Sequence, residues 1–269
     1  MIFSHSRIEC FNECPRKFRY RYIDKVVIED FDTVERYMGR KVHEALEYLY
    51  KKAMYGDAPD IDDIVRHYNS IWSEGIGDNV MVVNDGATHD DYRILGERCI
   101  ADYFEKHAPF DSVKTIATEL LVRTDLKNDG NYRLVGYIDR VDRVGDGVYE
   151  IHDYKTSSKV LSQNKADDDR QLTIYEMGLR TLYNDVHDVE YVWHYLAHGK
   201  EIRSKRDVKD IEAHKREIID SIHRIEEAIV EGWYPAVKTP KCMWCEYQSI
   251  CSKSNDEETK QTRVGDYIY

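Results

Sequence analysis

Proline and glycine are scarce in this sequence. Five prolines and 14 glycines among 269 residues exclude a low-complexity chain. No apolar run approaches the ~20 residues of a membrane span, so no membrane contact is expected. The opening Met1-Ile2-Phe3-Ser4-His5-Ser6 lacks the apolar stretch of a secretory leader, and a cytoplasmic location is expected. There is no GxxxxGK(S/T) phosphate loop, which excludes an ATP-driven motor within these residues. Basic charge is also in deficit, with 39 Lys and Arg against 51 Asp and Glu and a net charge of −12. That argues against blanket adhesion to nucleic acid. It leaves room for a nucleic-acid enzyme, which needs carboxylates for metal and only local basic patches.

What is present suffices for a core. Hydrophobic residues make up 42%, with 21 Tyr and 4 Trp, and wholesale disorder is excluded. The length suits one large domain, or a domain with a helical subdomain and a tail. Periodicity predicts helices over 4–24 (Ser6 and Glu9 forming a capping box), 33–55, 60–74 and 91–107. The second carries Val34, Met38, Val42, Leu46, Leu49 and Ala53 at helical spacing. Strands follow at 115–126, 131–143 and 147–155, joined by the turns Asn128-Asp129-Gly130-Asn131 and Gly145-Asp146-Gly147. A helix at 166–184, a strand at 188–198, a helix at 208–231, a cysteine-rich loop at 235–251 and a polar tail complete the chain. Trp72, Trp193, Trp233 and Cys99 are expected in the core.

Chemistry concentrates on the second hairpin. One strand reads Gly136-Tyr137-Ile138-Asp139-Arg140-Val141-Asp142 and the next Tyr149-Glu150-Ile151-His152-Asp153-Tyr154-Lys155. Strand alternation puts Asp153 and Lys155 on one face, and the short hairpin sets Asp139 beside Asp153. Neighbouring carboxylates repel, and a divalent cation relieves that repulsion. A lysine projecting toward the same point suits metal-assisted phosphodiester cleavage. Oxygen ligands suit Mg²⁺ or Mn²⁺. Glu119 on the first strand can approach this site, while Arg140 and Asp142 are expected to pair at the surface. Gly39, one turn before His43, leaves room for another backbone. Gln171 and Tyr175, four apart, share a helix face, and Asp167-Asp168-Asp169 precedes them as a helix cap.

The six cysteines are Cys10, Cys14, Cys99, Cys242, Cys245 and Cys251. Three thiols within ten residues, Cys242, Cys245 and Cys251, indicate a metal site whose fourth ligand is Cys14, with Cys10 in reserve. Spacing leaves zinc and an iron–sulfur cluster equally open. Either would staple the N-terminal helix to the C-terminal loop. Arg16, Lys17, Arg19, Arg21 and Lys25 interleave with Phe18, Tyr20 and Tyr22, a mixture suited to single-strand binding by charge and stacking.

Together these residues resemble the RecB-like branch of the PD-(D/E)XK nucleases. More narrowly, the sequence is similar to CRISPR-associated and phage exonucleases carrying an iron–sulfur cluster. The resemblance rests on shared order: Ser4-His5-Ser6 through Cys14-Pro15-Arg16-Lys17-Phe18 to Tyr22, then Gly39 with His43, Gly136 to Arg140, Asp153-Tyr154-Lys155, Gln171 with Tyr175, and Cys242, Cys245 and Cys251. It implies a restriction-endonuclease-like α/β (α+β) core, a central mixed sheet flanked by helices, with an N-terminal helical region and a C-terminal cluster segment. It implies an N-terminal helix over 1–30, a helical region over 31–110 carrying His43, a nuclease core over 111–233, a cluster segment over 234–252 and a flexible tail over 253–269. His43, Asp139, Asp153 and the Tyr154 carbonyl would bind Mn²⁺ or Mg²⁺, Lys155 would be catalytic, and Gln171 and Tyr175 would position the lysine or the DNA strand. Cys14, Cys242, Cys245 and Cys251 would hold a 4Fe–4S cluster. Arg16, Lys17, Arg19, Arg21 and Tyr175 would contact DNA. Asp153 stands where many members have Glu. The implied activity is single-stranded DNA exonuclease in CRISPR adaptation, recombination or phage DNA processing, with an integrase or helicase as partner and homo-oligomers as a further expectation. The competing expectation is a non-catalytic adaptor stapled by zinc or an iron–sulfur cluster.

Overall fold

Cys14 is extended (φ −163°, ψ 106°), because the ring of Pro15 disfavours a helical residue before it. The helix expected over 4–24 is therefore broken. After a short strand β1 (Ile2–Phe3) come α1 (His5–Glu13), α2 (Pro15–Phe18) and a π-helical turn over Arg19–Ile23. Since α1 begins at His5, Ser6 lies within its first turn and not at its cap. The computed structural model describes residues 1–28, 32–77, 79–84, 86–127 and 130–251. The predicted turn at Asn128-Asp129 and the tail over 253–269 lie outside them.

The chain divides into two compact units. One holds Met1–His5 and Asp32–Lys215, the other Ser6–Phe31 and the chain from Arg216 on. In the first, β2 (Asp32–Thr33) leads into α3 (Val34–Ala53), where the Thr33 hydroxyl accepts the Arg36 N–H. Val34, Met38, Val42, Leu46 and Leu49 of α3 are buried as their spacing predicts. They pack with α4 (Ile61–Gly75), β3 (Val80–Met81) and α5 (His89–His107), whose Tyr68, Trp72, Val80, Cys99 and Ile100 belong to the same core. A Thr88–Asp91 capping box starts α5.

The sheet is built from β4 (Lys114–Asp125), β5 (Arg133–Gly145), β6 (Val148–Lys155), β7 (Asp188–Tyr195) and β8 (Lys200–Lys205). Its order is β1-β5-β6-β7-β8, with β4 on the other edge of β5. The β4–β5, β5–β6 and β7–β8 pairs are antiparallel, and β1–β5 and β6–β7 are parallel. A parallel pair needs a crossover, and between β6 and β7 it contains α6 (Gln163–Asp167) and α7 (Arg170–Leu182). The result is the mixed sheet flanked by helices that the resemblance implies.

Besides the broken first helix and the short strands β1, β2 and β3, two longer elements differ from prediction. The helix expected over 166–184 is two helices, because Asp169 turns extended and its carboxylate caps α7 by accepting the Gln171 N–H at 2.7 Å. Strand β8 was not predicted. Gly199, at φ +57°, makes the tight turn that returns the chain beside β7. The long helix α8 (Val208–Glu231) follows. Trp72 and Trp193 are buried as expected, but Trp233, just past α8, is 46% exposed. No helix among the described residues is long and apolar enough to cross a membrane.

Candidate active site

The site sits where a strand ladder stops. β6 covers one edge of β5 from Gly145 to Arg140, and β1 covers the same edge at Arg133 and Leu134. Between them, among the described residues, positions 135–139 have no strand partner on that edge. At the first position past the ladder the Asp139 carboxylate, in place of a main-chain carbonyl, accepts the Tyr154 N–H at 2.7 Å. Two residues of β6 complete the pair predicted from alternation, with Lys155 Nζ 2.7 Å from Asp153 Oδ2.

Helix α7 fixes that pair from the side. Gln171 Oε1 accepts from Lys155 at 3.2 Å, while its amide nitrogen donates to Asp153 Oδ1 at 3.1 Å and to the Tyr175 hydroxyl at 2.8 Å. From α3, His43 Nε2 donates to the Tyr154 carbonyl at 2.9 Å, which leaves Nδ1 3.5 Å from Asp139 Oδ2. His43, Asp139, Asp153, Tyr154, Lys155, Gln171 and Tyr175, scattered over 133 positions of sequence, thus form one connected network.

Glu119 joins them. It adopts φ +46° within β4, a left-handed conformation that a non-glycine strand residue holds only against strain. Ligand atoms of His43, Glu119 and Asp139 lie within 4.8 Å of one another. Sequence alone placed Glu119 near the site. The kink that aims it has no sequence signature.

The electrostatics fit a cation site. Burial disfavours charge on Asp139, but His43, the Tyr154 N–H and Lys155 outweigh it and hold this carboxyl below the usual range. Burial, with Asp139 adding to it, pushes Asp153 up, and the same two causes push Glu119 up to about 7. Burial opposes charge on His43 too, yet Asp139 and Asp153 lift it to about 9. An imidazolium there offsets carboxylate charge. Three carboxyls, one imidazole and one carbonyl make a donor set suited to Mn²⁺ or Mg²⁺. A divalent cation there would supply Lewis acidity at a phosphoryl oxygen and a bound water of lowered pKa. Burial works against the Lys155 charge, but Asp153 and Asp139 raise its pKa, so it stays an ammonium able to meet developing negative charge.

Two glycines shape the surroundings. A Cβ on Gly136 would stand 2.5 Å from the Tyr175 ring, so glycine is required for the ring that Gln171 holds. Gly136→Ala is expected to displace Tyr175 and slow single-turnover cleavage about 10²-fold at unchanged metal stoichiometry. Wild-type turnover would show that the ring position is immaterial. A Cβ on Gly39 would come 3.0 Å from Thr156 Oγ1. The close approach expected there is thus made by a side-chain hydroxyl and not by backbone.

One expectation about the sheet is overturned. Arg140 and Asp142 do pair, at 3.1 Å, but they are 4% and 0% exposed and not at the surface. They alternate with Asp139 and point to the opposite side of β5, where Arg140 meets Tyr103 of α5 and Tyr50 of α3.

The second unit carries the predicted cluster cysteines. Cys14 Sγ accepts the Val237 N–H at 3.5 Å, and Cys242 Sγ lies 3.7 Å from the carbonyl of the same residue. Among the described residues no cysteine is in a disulfide, and no group of three close metal-type ligands includes one. Cys10 is buried, whereas Cys14, Cys242, Cys245 and Cys251 are half-buried. The basic residues expected on DNA are engaged within this unit. Arg16 donates to the Tyr234 carbonyl at 2.8 Å, Lys17 and Arg21 pair with Glu246, and Arg19 pairs with Asp24.

Comparison with known proteins adds the following. A family model described as the PD-(D/E)XK nuclease superfamily matches residues 2–252. No curated protein matches significantly. Among solved structures, the one titled "Crystal structure of SSO0001" is 15% identical with a TM-score of 0.39, over 95% of this chain and 87% of that one.

Proposed function

The chain belongs to the PD-(D/E)XK nuclease superfamily, and from that premise we propose that it is a metal-dependent exonuclease of single-stranded DNA. The observation that carries the reading is the clamp of Gln171 on Asp153 and Lys155 beside Asp139. It holds an ammonium next to carboxylates where a scissile phosphate and its cation would meet. In this reading His43, Glu119, Asp139, Asp153 and the Tyr154 carbonyl hold the cation. Tyr175 and the basic residues Arg16, Lys17, Arg19 and Arg21 contact the strand. The reading extends to a cytoplasmic role in CRISPR adaptation, recombination or phage DNA processing, beside an integrase or helicase and in a homo-oligomer.

The same reading gives Cys14, Cys242, Cys245 and Cys251 a 4Fe–4S cluster. Support comes from Cys14 and Cys242 meeting at Val237, which joins the two ends of the unit at one residue. Anaerobically purified protein is then expected to contain iron and sulfide in equal amounts. Zinc without iron would replace the cluster with a zinc staple.

Single-stranded DNA labelled at either end, incubated with Mn²⁺, Mg²⁺ or chelator, tests the activity. Metal-dependent loss of label, with a ladder from one end only, is the expected result and gives the polarity. No cleavage with either metal, in protein shown to hold its cysteine-bound metal, would make the chain a non-catalytic adaptor.

A further inference from the structure

On the side of the sheet away from the Gln171 clamp, three potential ligands converge that the nuclease reading does not use. His107 ends α5, His194 lies on β7 and Glu201 lies on β8. Glu201 Oε1 is 3.2 Å from His107 Nε2 and 3.7 Å from His194 Nδ1, and the three ligand atoms all lie within 4.8 Å of one another. The two imidazoles meet edge to face, with ring centres 5.4 Å apart. All three residues, with Asp102, line a cavity of about 20 Å³, room for about one water-sized occupant.

Hydrogen bonding sets the tautomer of His194. Arg140 Nη2 lies 2.9 Å from Nδ1 and 3.0 Å from Nε2 of His152, which places it over the ring face and out of line with either in-plane lone pair. His152 Nε2 stands 3.1 Å from Asp142 Oδ2 and 3.3 Å from Glu150 Oε2, which accept only, so Nε2 carries a proton and in the neutral ring Nδ1 holds the lone pair. His194 Nε2 is 2.9 Å from that lone pair and donates to it. The lone pair of His194 is thereby left on Nδ1, facing Glu201. A ligating histidine that donates its other N–H along a chain ending in a carboxylate is the usual support of a metal site.

We propose that His107, His194 and Glu201 form a second metal site, of the zinc type, with water as the fourth ligand. Two imidazoles and one carboxylate with an open position are a recurrent zinc donor set. Donors at ~2.05 Å from a tetrahedral ion stand roughly 3.4 Å apart, and the measured 3.2 and 3.7 Å bracket that spacing. Lys106 Nζ supplies a cation 2.7 Å from Glu201 Oε1. Its side chain is 46% exposed, so it can swing into solvent when an ion enters. The bound ion would tie the end of α5 to β7 and β8.

Zinc stoichiometry of the chelator-stripped, reloaded full chain tests the site. The variants are His107→Ala, Glu201→Gln and Lys106→Met. The catalytic carboxylates and the cysteines are intact in all three, so any metal they take cancels in the comparison. Each of the first two variants is expected to bind one equivalent of Zn²⁺ fewer than wild type and to lose one equivalent of Zn²⁺-induced thermal stabilisation. Lys106→Met is expected to keep the equivalent and bind it about tenfold more tightly. With Co²⁺ in place of Zn²⁺, the signal lost in His107→Ala should be a visible d–d band without thiolate charge transfer. Equal metal content in wild type and both ligand variants overturns the proposal, as does a lost band carrying thiolate character. If His107→Ala melts early even in chelator, Glu201→Gln and the gain in Lys106→Met decide alone.

Discussion

Lys155→Ala is expected to abolish metal-dependent cleavage, by ~10²–10³-fold or more in single-turnover rate, while the folded protein and its metal content persist. The ammonium is held by Asp153 at 2.7 Å and Gln171 at 3.2 Å, so its position is fixed before substrate arrives. Preorganised charge of this kind acts on the transition state without reorganisation. Stability should change little, because the orphaned Asp153 has an exit. Burial and Asp139 already push its pKa up, and without the lysine it can take a proton and avoid a buried unpaired charge. The measurement is cleavage of end-labelled DNA at saturating Mn²⁺, with metal stoichiometry and thermal melting in parallel. A rate within tenfold of wild type would remove Lys155 from the chemistry. Lys155→Arg, which keeps charge but not a compact ammonium, should recover only a small part of the rate.

Arg140→Met is expected to give the largest loss of stability. Its guanidinium is 4% exposed and sits 3.1 Å from Asp142, 2.9 Å from the Tyr154 hydroxyl and 2.5 Å from that of Tyr103, over the face of Tyr50. Removing one partner of a buried ion pair leaves an uncompensated charge and costs about 3–5 kcal/mol. Urea unfolding at neutral pH measures the loss, and less than about 1 kcal/mol would show that Asp142 is satisfied without Arg140. The double variant Arg140→Met with Asp142→Leu should recover much of it, since a packed apolar pair can match a buried ionic one. The pH dependence has a definite sign. Burial is outweighed by Arg140 and His152, which hold Asp142 well below the usual carboxylate range. The stabilisation is therefore complete above the unfolded-state pKa and lost as pH falls through the folded value. The gap between wild type and Arg140→Met should narrow in acid.

These two positions also mark what the sequence could and could not disclose. Asp153 and Lys155 were legible because strand alternation fixes which residues share a face. Gln171 and Tyr175 were legible because helical spacing does the same. Arg140 and Asp142 obey the same alternation, yet charges on alternate positions look like a solvated face. Only the packing of α3 and α5 on that side, a tertiary fact, makes it an interior. The break before α7 was half-legible: three consecutive aspartates suggested a cap, but which one turns extended depends on the chain around it. Strand β8, Lys-Glu-Ile-Arg-Ser-Lys, carries too few apolar residues to signal pairing, and its partner β7 supplies most of the burial. Glu119 needed a backbone kink and Cys14 a proline-induced extension. Only the second of these leaves a mark in the sequence.

The hydrogen bond from Tyr154 N–H to Asp139 gives one side chain a mason's job beside the cation-binding one proposed for it. It finishes a course of β-sheet and, in doing so, holds the carboxylate 3.5 Å from His43 Nδ1. Side-chain length is then set by architecture at this position. Glutamate, one methylene longer, would have to buckle or wedge β5 and β6 apart, even though its chemistry is the same. Asp153 is tethered through the flexible ends of Lys155 and Gln171, partners that can shift with a longer acid. Of the two acids in this fork, the one built into the masonry should be the intolerant one, and the other should accept the longer acid.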